Sequence, residues 1–162
     1  MTRIALPADA LVVLVAPAGA GKSTLARSAF RETEVVSSDR CRALVSDDEN
    51  DQAATDAAYA VFFSILRGRL ALGRLSVADA TNLQADSRQA LRELAGEFNR
   101  PVVALALDVP LSACLAQNAA RSRHVPEDVI EEHHRLYEAA RAELEREGLA
   151  PDRPGHGSRA GC

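Results

Sequence analysis

Residues 16–24 read Ala-Pro-Ala-Gly-Ala-Gly-Lys-Ser-Thr, and no other stretch constrains the fold of this chain so tightly. They fit the pattern G-x-x-x-x-G-K-[ST], with Ala16 in place of the first glycine. The pattern has meaning only between a strand and a helix, and both flanks suit it. Leu11 to Val15 (LVVLV) is a short continuous apolar run, as a central parallel strand requires, and a helical pattern opens at Lys22. Gly19 and Gly21 let backbone N–H groups turn inward onto phosphate oxygens, and the start of the helix adds its positive end. Gly19, Ala20, Gly21, Lys22, Ser23 and Thr24 are therefore expected to bind ATP. Lys22 would reach the β and γ phosphates, the Ser23 hydroxyl would ligate Mg²⁺, and Thr24 would lie near the α phosphate. Composition sharpens this. Of 19 basic residues Lys22 is the single lysine, all others being arginine, so the one compact ammonium falls where it must fit between phosphate oxygens.

Beyond the loop, strand-like and helix-like segments alternate. This predicts a three-layer α/β P-loop NTPase fold with a mostly parallel sheet, flanking helices and a helical lid. Helices are expected over residues 22–31, 51–72 and 86–98, after Pro110, and from Pro126 to just before Gly148. Strands are expected at 35–36, 75–79 and 101–107. Within 51–72, Ala58, Phe62, Ile65 and Leu72 are expected to form the buried face. A single kinase domain is read over residues 1–148, followed by a disordered tail over 149–162 that is rich in Gly and Pro. No apolar run is long enough to span a bilayer, the N-terminus is not laid out as a signal peptide, and a cytoplasmic location is expected. Three scattered cysteines offer no metal spacing. A net charge of −4 argues against a protein that coats long nucleic acid, though not against one that grips a single end.

Asp79 ends the third strand and could hold the Mg²⁺ shell. No Glu follows it to activate water, which favours transfer to a bound hydroxyl over hydrolysis. Asp39 sits at the C-terminal end of the second strand, the edge at which open parallel sheets bind ligands. Arg42 follows three residues on. As a pair, Asp39 could accept the proton of an attacking hydroxyl while Arg42 holds an acceptor phosphate; equally, Asp39 could cap a helix and simply pair with Arg42. Arg121 and Arg123 precede the last helix, either closing over the γ phosphate or forming a solvated basic loop. His133 and His134 fall within a helical pattern, where packing or exposure explains them.

With these residues in view, the chain resembles the 5′-hydroxyl polynucleotide kinase domains of bacterial RNA-repair enzymes, and more loosely the bacteriophage enzyme. The likeness runs from about Leu11 to Leu144. Its carriers are GAGKST at residues 19–24, SSDRCRALVSDDENDQ at 37–52 and VADATN at 77–82. The resemblance implies ATP-dependent phosphorylation of 5′-hydroxyl ends of RNA or DNA. Asp39 would be the general base, Arg42 the contact to the first acceptor phosphate, and Lys22 and Ser23 the ATP and Mg²⁺ groups. Asp79 would act near the metal, and Arg121 and Arg123 in the lid. The pattern departs where relatives carry further lid arginines; here Leu115, Ala116 and Gln117 stand in one such place and His124 in another. Relatives often fuse the kinase to a phosphatase and an adenylyltransferase, so separate phosphatase and ligase partners are expected. Ligase chemistry on this chain is not, since its single lysine belongs to the phosphate loop. A kinase of a small-molecule alcohol or antibiotic, and a non-catalytic nucleotide switch, stand as the competing readings.

Overall fold

The sheet is built around β1 (Leu11–Val15), and the computed structural model, which describes residues 5–149, leaves all five of its residues fully buried. A strand that is apolar at every position needs neighbours on both edges and helices on both faces. β1 has both. It pairs in parallel with β3 (Ser76–Asp79), Val12 opposite Val77, and with β4 (Val102–Ala106), Val13 opposite Ala104. β2 (Val35–Ser37) adds outside β3, Val36 opposite Ala78, so the order is β2-β3-β1-β4 with every pairing parallel. The expected three-layer α/β P-loop fold is what forms.

Side chains alternate along β1 and so divide the core. Leu11, Val13 and Val15 join a large cluster with α3 (Thr55–Ala71), α4 (Ala85–Glu97) and α6 (Glu127–Leu144). Val12 and Leu14 face the other way, where Ala26 of α1 (Lys22–Ala29) and Phe30 cover them. A third cluster, Ala16, Ala20, Leu107, Cys114 and Ile130, packs α5 (Leu111–Ala119) and the start of α6 against the phosphate loop. Leu149 is buried in the large cluster. The tail expected over residues 149–162 otherwise lies outside the described residues. No helix among the described residues is long and apolar enough to cross a membrane.

Two expectations require correction. The buried stripe of α3 is Ala58, Phe62, Leu66 and Leu70, in steps of four. Ile65 and Leu72, expected in the core, are 40% and 77% exposed. This helix carries apolar residues most of the way round, so spacing alone cannot choose the stripe, and contact with the sheet does. The other concerns α2 (Ser38–Ser46): the helix that the spacing of Asp39 and Arg42 allowed does form, but Asp39 lies inside its first turn and is not its cap. Ser37 caps it, its hydroxyl accepting from the Arg40 N–H at 3.3 Å, and Asp47 closes it in the left-handed conformation at φ 61°.

Candidate active site

The C-terminal edge of the sheet gathers most of the expected residues. At its centre the phosphate loop leaves β1, anchored by Ala16 N–H to the Thr81 carbonyl at 3.2 Å. Gly19 and Gly21 both have positive φ, 81° and 85°, which turns the loop and ends it as the N-cap of α1 with no side-chain cap. Among the described residues, the backbone N–H groups of Gly19, Gly21, Lys22, Ser23 and Thr24 make no hydrogen bond. A row of unpaired donors at a helix start, with Lys22 beside it, is suited to cradle an anion. Gly19 also permits a close approach, because a Cβ there would stand 2.6 Å from the carbonyl oxygen of Cys114 in α5.

Asp79, at the end of β3 and 4% exposed, faces the loop with both carboxylate oxygens. Oδ1 accepts from Lys22 Nζ at 2.9 Å and Oδ2 from the Ser23 hydroxyl at 3.2 Å. A hydroxyl and a carboxylate side by side are an oxygen donor set suited to Mg²⁺, which takes few protein ligands and completes its shell with water and phosphate. No larger group of His, Cys, Asp or Glu capable of holding a metal occurs among the described residues. The expected pair Ser23 and Asp79 therefore fits that ion.

The turn after Asp79 is fixed from below by residues to which the sequence reading assigned no role. Asn82, at φ 50°, donates through Nδ2 to the carbonyls of Leu14 at 2.7 Å, Ala80 at 3.2 Å and Ala78 at 3.3 Å. It thereby ties the ends of β1 and β3 together. Arg88 of α4, fully buried, donates to the Asn82 and Leu83 carbonyls at 3.1 and 2.8 Å. Its charge is met by Glu143 at 2.6 Å and Glu147 at 2.7 Å. The Arg88 hydrogen bond holds the Glu147 carboxyl below the usual carboxylate range, against the opposing pull of burial.

On the β2 side, α2 brings Asp39 and Arg42 onto one face. Arg42, 7% exposed, donates through Nη1 to Asp39 Oδ1 at 2.8 Å and to the Glu49 carbonyl at 3.1 Å. The two residues do pair, and the helix is capped by Ser37 rather than Asp39. Arg123 reaches the same carboxylate from the connection between α5 and α6, its Nη1 lying 3.3 Å from Asp39 Oδ2. That connection is stapled by Asn118, which donates to the Val125 carbonyl at 2.8 Å and accepts the Val125 N–H at 2.9 Å. Arg121 does not join the cluster: it is exposed, and its side chain makes no hydrogen bond or ion pair among the described residues. His133 on α6 has an Nδ1 buried without a partner. Burial pushes its pKa down, with Glu132 opposing and the nearby Lys22 ammonium adding to the shift.

An anion cradle and a metal-suited oxygen pair at the C-terminal edge of a parallel sheet define a P-loop domain. The AAA domain family matches residues 11–144, and the chain belongs to that family. No curated protein matches it. Among solved structures, a chain of the Pnkp1/Rnl/Hen1 RNA repair complex is similar over 83% of this chain and 45% of its own length, with 20% identity and a TM-score of 0.72. This chain thus spans less than half of that one. A gluconokinase from Sinorhizobium meliloti 1021 matches over 93% of this chain and 85% of its own, at 15% identity and a TM-score of 0.57. A shikimate kinase from Acinetobacter baumannii, in complex with shikimate, matches over the same shares at 19% identity and 0.54. At these identities the likeness speaks for the fold alone.

Proposed function

We propose that this chain transfers the γ-phosphate of ATP to the 5′-hydroxyl end of RNA or DNA. The observation that carries the reading is the pairing of Asp39 with the buried Arg42 at the start of α2, just beyond the C-terminal end of β2. A carboxylate beside a buried guanidinium suits an acceptor that presents a hydroxyl and, one linkage away, a phosphate. The motif stretches at residues 37–52 and 77–82 point the same way, as does the likeness to a chain of an RNA repair complex.

In this mechanism the unpaired N–H row and Lys22 bind the triphosphate. Asp39 accepts the proton of the 5′-hydroxyl as its oxygen bonds to the γ phosphorus and the bond from that phosphorus to the bridging ADP oxygen breaks. Arg42 orients the acceptor through its neighbouring phosphate, and Arg121 and Arg123 come from the lid side to the charge on the transferring group. Ser23 and Asp79 would hold Mg²⁺, which when bound neutralises charge on the β and γ phosphate oxygens. A cytoplasmic setting would supply the ATP. Separate phosphatase and ligase enzymes would complete end repair, and the similarity to a chain taken from a multi-enzyme complex supports that expectation.

A second reading, phosphorylation of a small-molecule alcohol, is favoured by the gluconokinase and shikimate kinase matches, which cover 85% of those chains. The test offers labelled ATP, Mg²⁺ and an oligonucleotide with a 5′-hydroxyl. Label should move to the oligonucleotide, and Lys22→Ala or Asp39→Ala should lower the rate by roughly 10²–10⁴-fold. ATP binding without transfer to any RNA or DNA end would discard the polynucleotide reading. Transfer to a polyol panel instead would establish the alternative.

A further inference from the structure

Arg123 is claimed by two carboxylates at once. Its Nη1 lies 3.3 Å from Asp39 Oδ2 and 3.3 Å from Glu49 Oε1. Glu49 follows α2 in a turn and belongs to none of the motif roles, yet it touches both halves of the site. Its backbone carbonyl accepts from Arg42 on the acceptor side, and its carboxylate pairs with Arg123 on the lid side. Asp39 is meanwhile bracketed, Oδ1 taken by Arg42 and Oδ2 by Arg123. An incoming hydroxyl that approaches Oδ2 meets a guanidinium already bonded there.

We infer that Glu49 is a further positioning residue of the transfer site: with Asp39 it holds Arg123 on the acceptor side, so that a nucleotide triphosphate and these carboxylates compete for one guanidinium. The inference rests on the phosphoryl-transfer reading above and deepens it. The side chains of Arg123, Asp39 and Glu49 are 36%, 46% and 46% exposed, so each pair is weak enough to exchange. A polyphosphate offers a guanidinium paired oxygens of higher charge than a lone carboxylate. Once Arg123 turns to the phosphates, Asp39 Oδ2 is released to the acceptor hydroxyl. Glu49 thus sets how firmly the empty site retains Arg123, and nucleotide binding and exposure of the base become one event. By linkage, each substrate should favour the other.

The experiment is a double-mutant cycle on nucleotide affinity, read by calorimetry without acceptor. The probe is the Mg²⁺ complex of the ATP analogue with an imido bridge between the β and γ phosphates, at low salt. Glu49→Gln should bind it roughly two- to fivefold more tightly than wild type, because one competitor for Arg123 is gone. Arg123→Gln should weaken binding, and adding Glu49→Gln to it should change nothing further. Lost folding cannot mimic the first result, since it would weaken binding. Glu49→Asp should return affinity towards wild type. Unchanged or weaker binding by Glu49→Gln would overturn the inference, as would a gain that persists undiminished without Arg123. Wild-type protein that binds no nucleotide at all would instead overturn the reading of the site, and the inference with it.

Discussion

At Gly19 two demands meet, a φ of 81° and a backbone oxygen of Cys114 that a Cβ would approach to 2.6 Å. At Gly21 only the first applies: φ is 85°, and the nearest obstacle is the flexible Gln117 side chain at 3.6 Å. Alanine at Gly21 should cost about 1 kcal/mol through its backbone conformation. At Gly19 it must also push α5 away from the loop, and should cost about 2–4 kcal/mol and weaken nucleotide binding. Urea unfolding of the two variants tests the order, and equal costs would refute the packing argument. That the loop, Asp39, Arg42 and Asp79 stand at the ends of neighbouring strands was legible in the sequence, because each follows a short apolar run. The roles of Asn82, Arg88, Asn118 and Glu49 were not. Asn82 meets a carbonyl 68 positions away and Arg88 a carboxylate 59 away, and no local pattern encodes such partners. Arg121 shows the converse: its motif position was readable, but in this arrangement only Arg123 reaches Asp39.

The elements carry a second lesson, in α3. Leu66 is fully buried against the sheet while its neighbour Ile65 is 40% exposed. Leu66→Ala should destabilise the domain by about 2–5 kcal/mol, and Ile65→Ala by less than about 1 kcal/mol. Denaturant midpoints would show it, and similar losses would mean the buried stripe is misassigned. Strands read well here because each is short, apolar and bounded by a turn. The stripe of α3 read poorly because a helix with apolar residues on several faces presents several equally regular stripes. Whether α2 forms was open in the sequence for another reason. Its start depends on the Ser37 cap and on two elements that receive it, β2 behind and α3 beside, rather than on strong periodicity of its own.

Across the whole molecule, Arg88 links the turn after Asp79 to the far end of α6. Glu147, 12% exposed, answers its buried charge and is held ionised below the usual carboxylate range. A carboxyl whose folded pKa is depressed contributes stability that is complete above the unfolded pKa and lost as pH falls through the folded value. Glu147→Gln should therefore cost about 1–3 kcal/mol at pH 7, less than a lone buried pair because Glu143 remains. The gap to wild type should shrink as pH falls below about 4. Urea unfolding at several pH values tests this, and a gap independent of pH would exclude charge as its source.

The sequence by itself determined that a phosphate-binding loop joins a buried strand to a helix, and that the sheet is parallel and layered. Both follow from local conformational limits and from apolar runs only a few residues long. Only the tertiary structure decided which carboxylate meets which cation distant in the chain. Asp79 turns to Lys22 and Ser23, Asp39 is shared by Arg42 and Arg123, and Arg88 is buried whole beneath the turn between them. Charge pairing depends on distance through space, and chain separations of 57 and 84 residues leave no trace of it in the order of the amino acids.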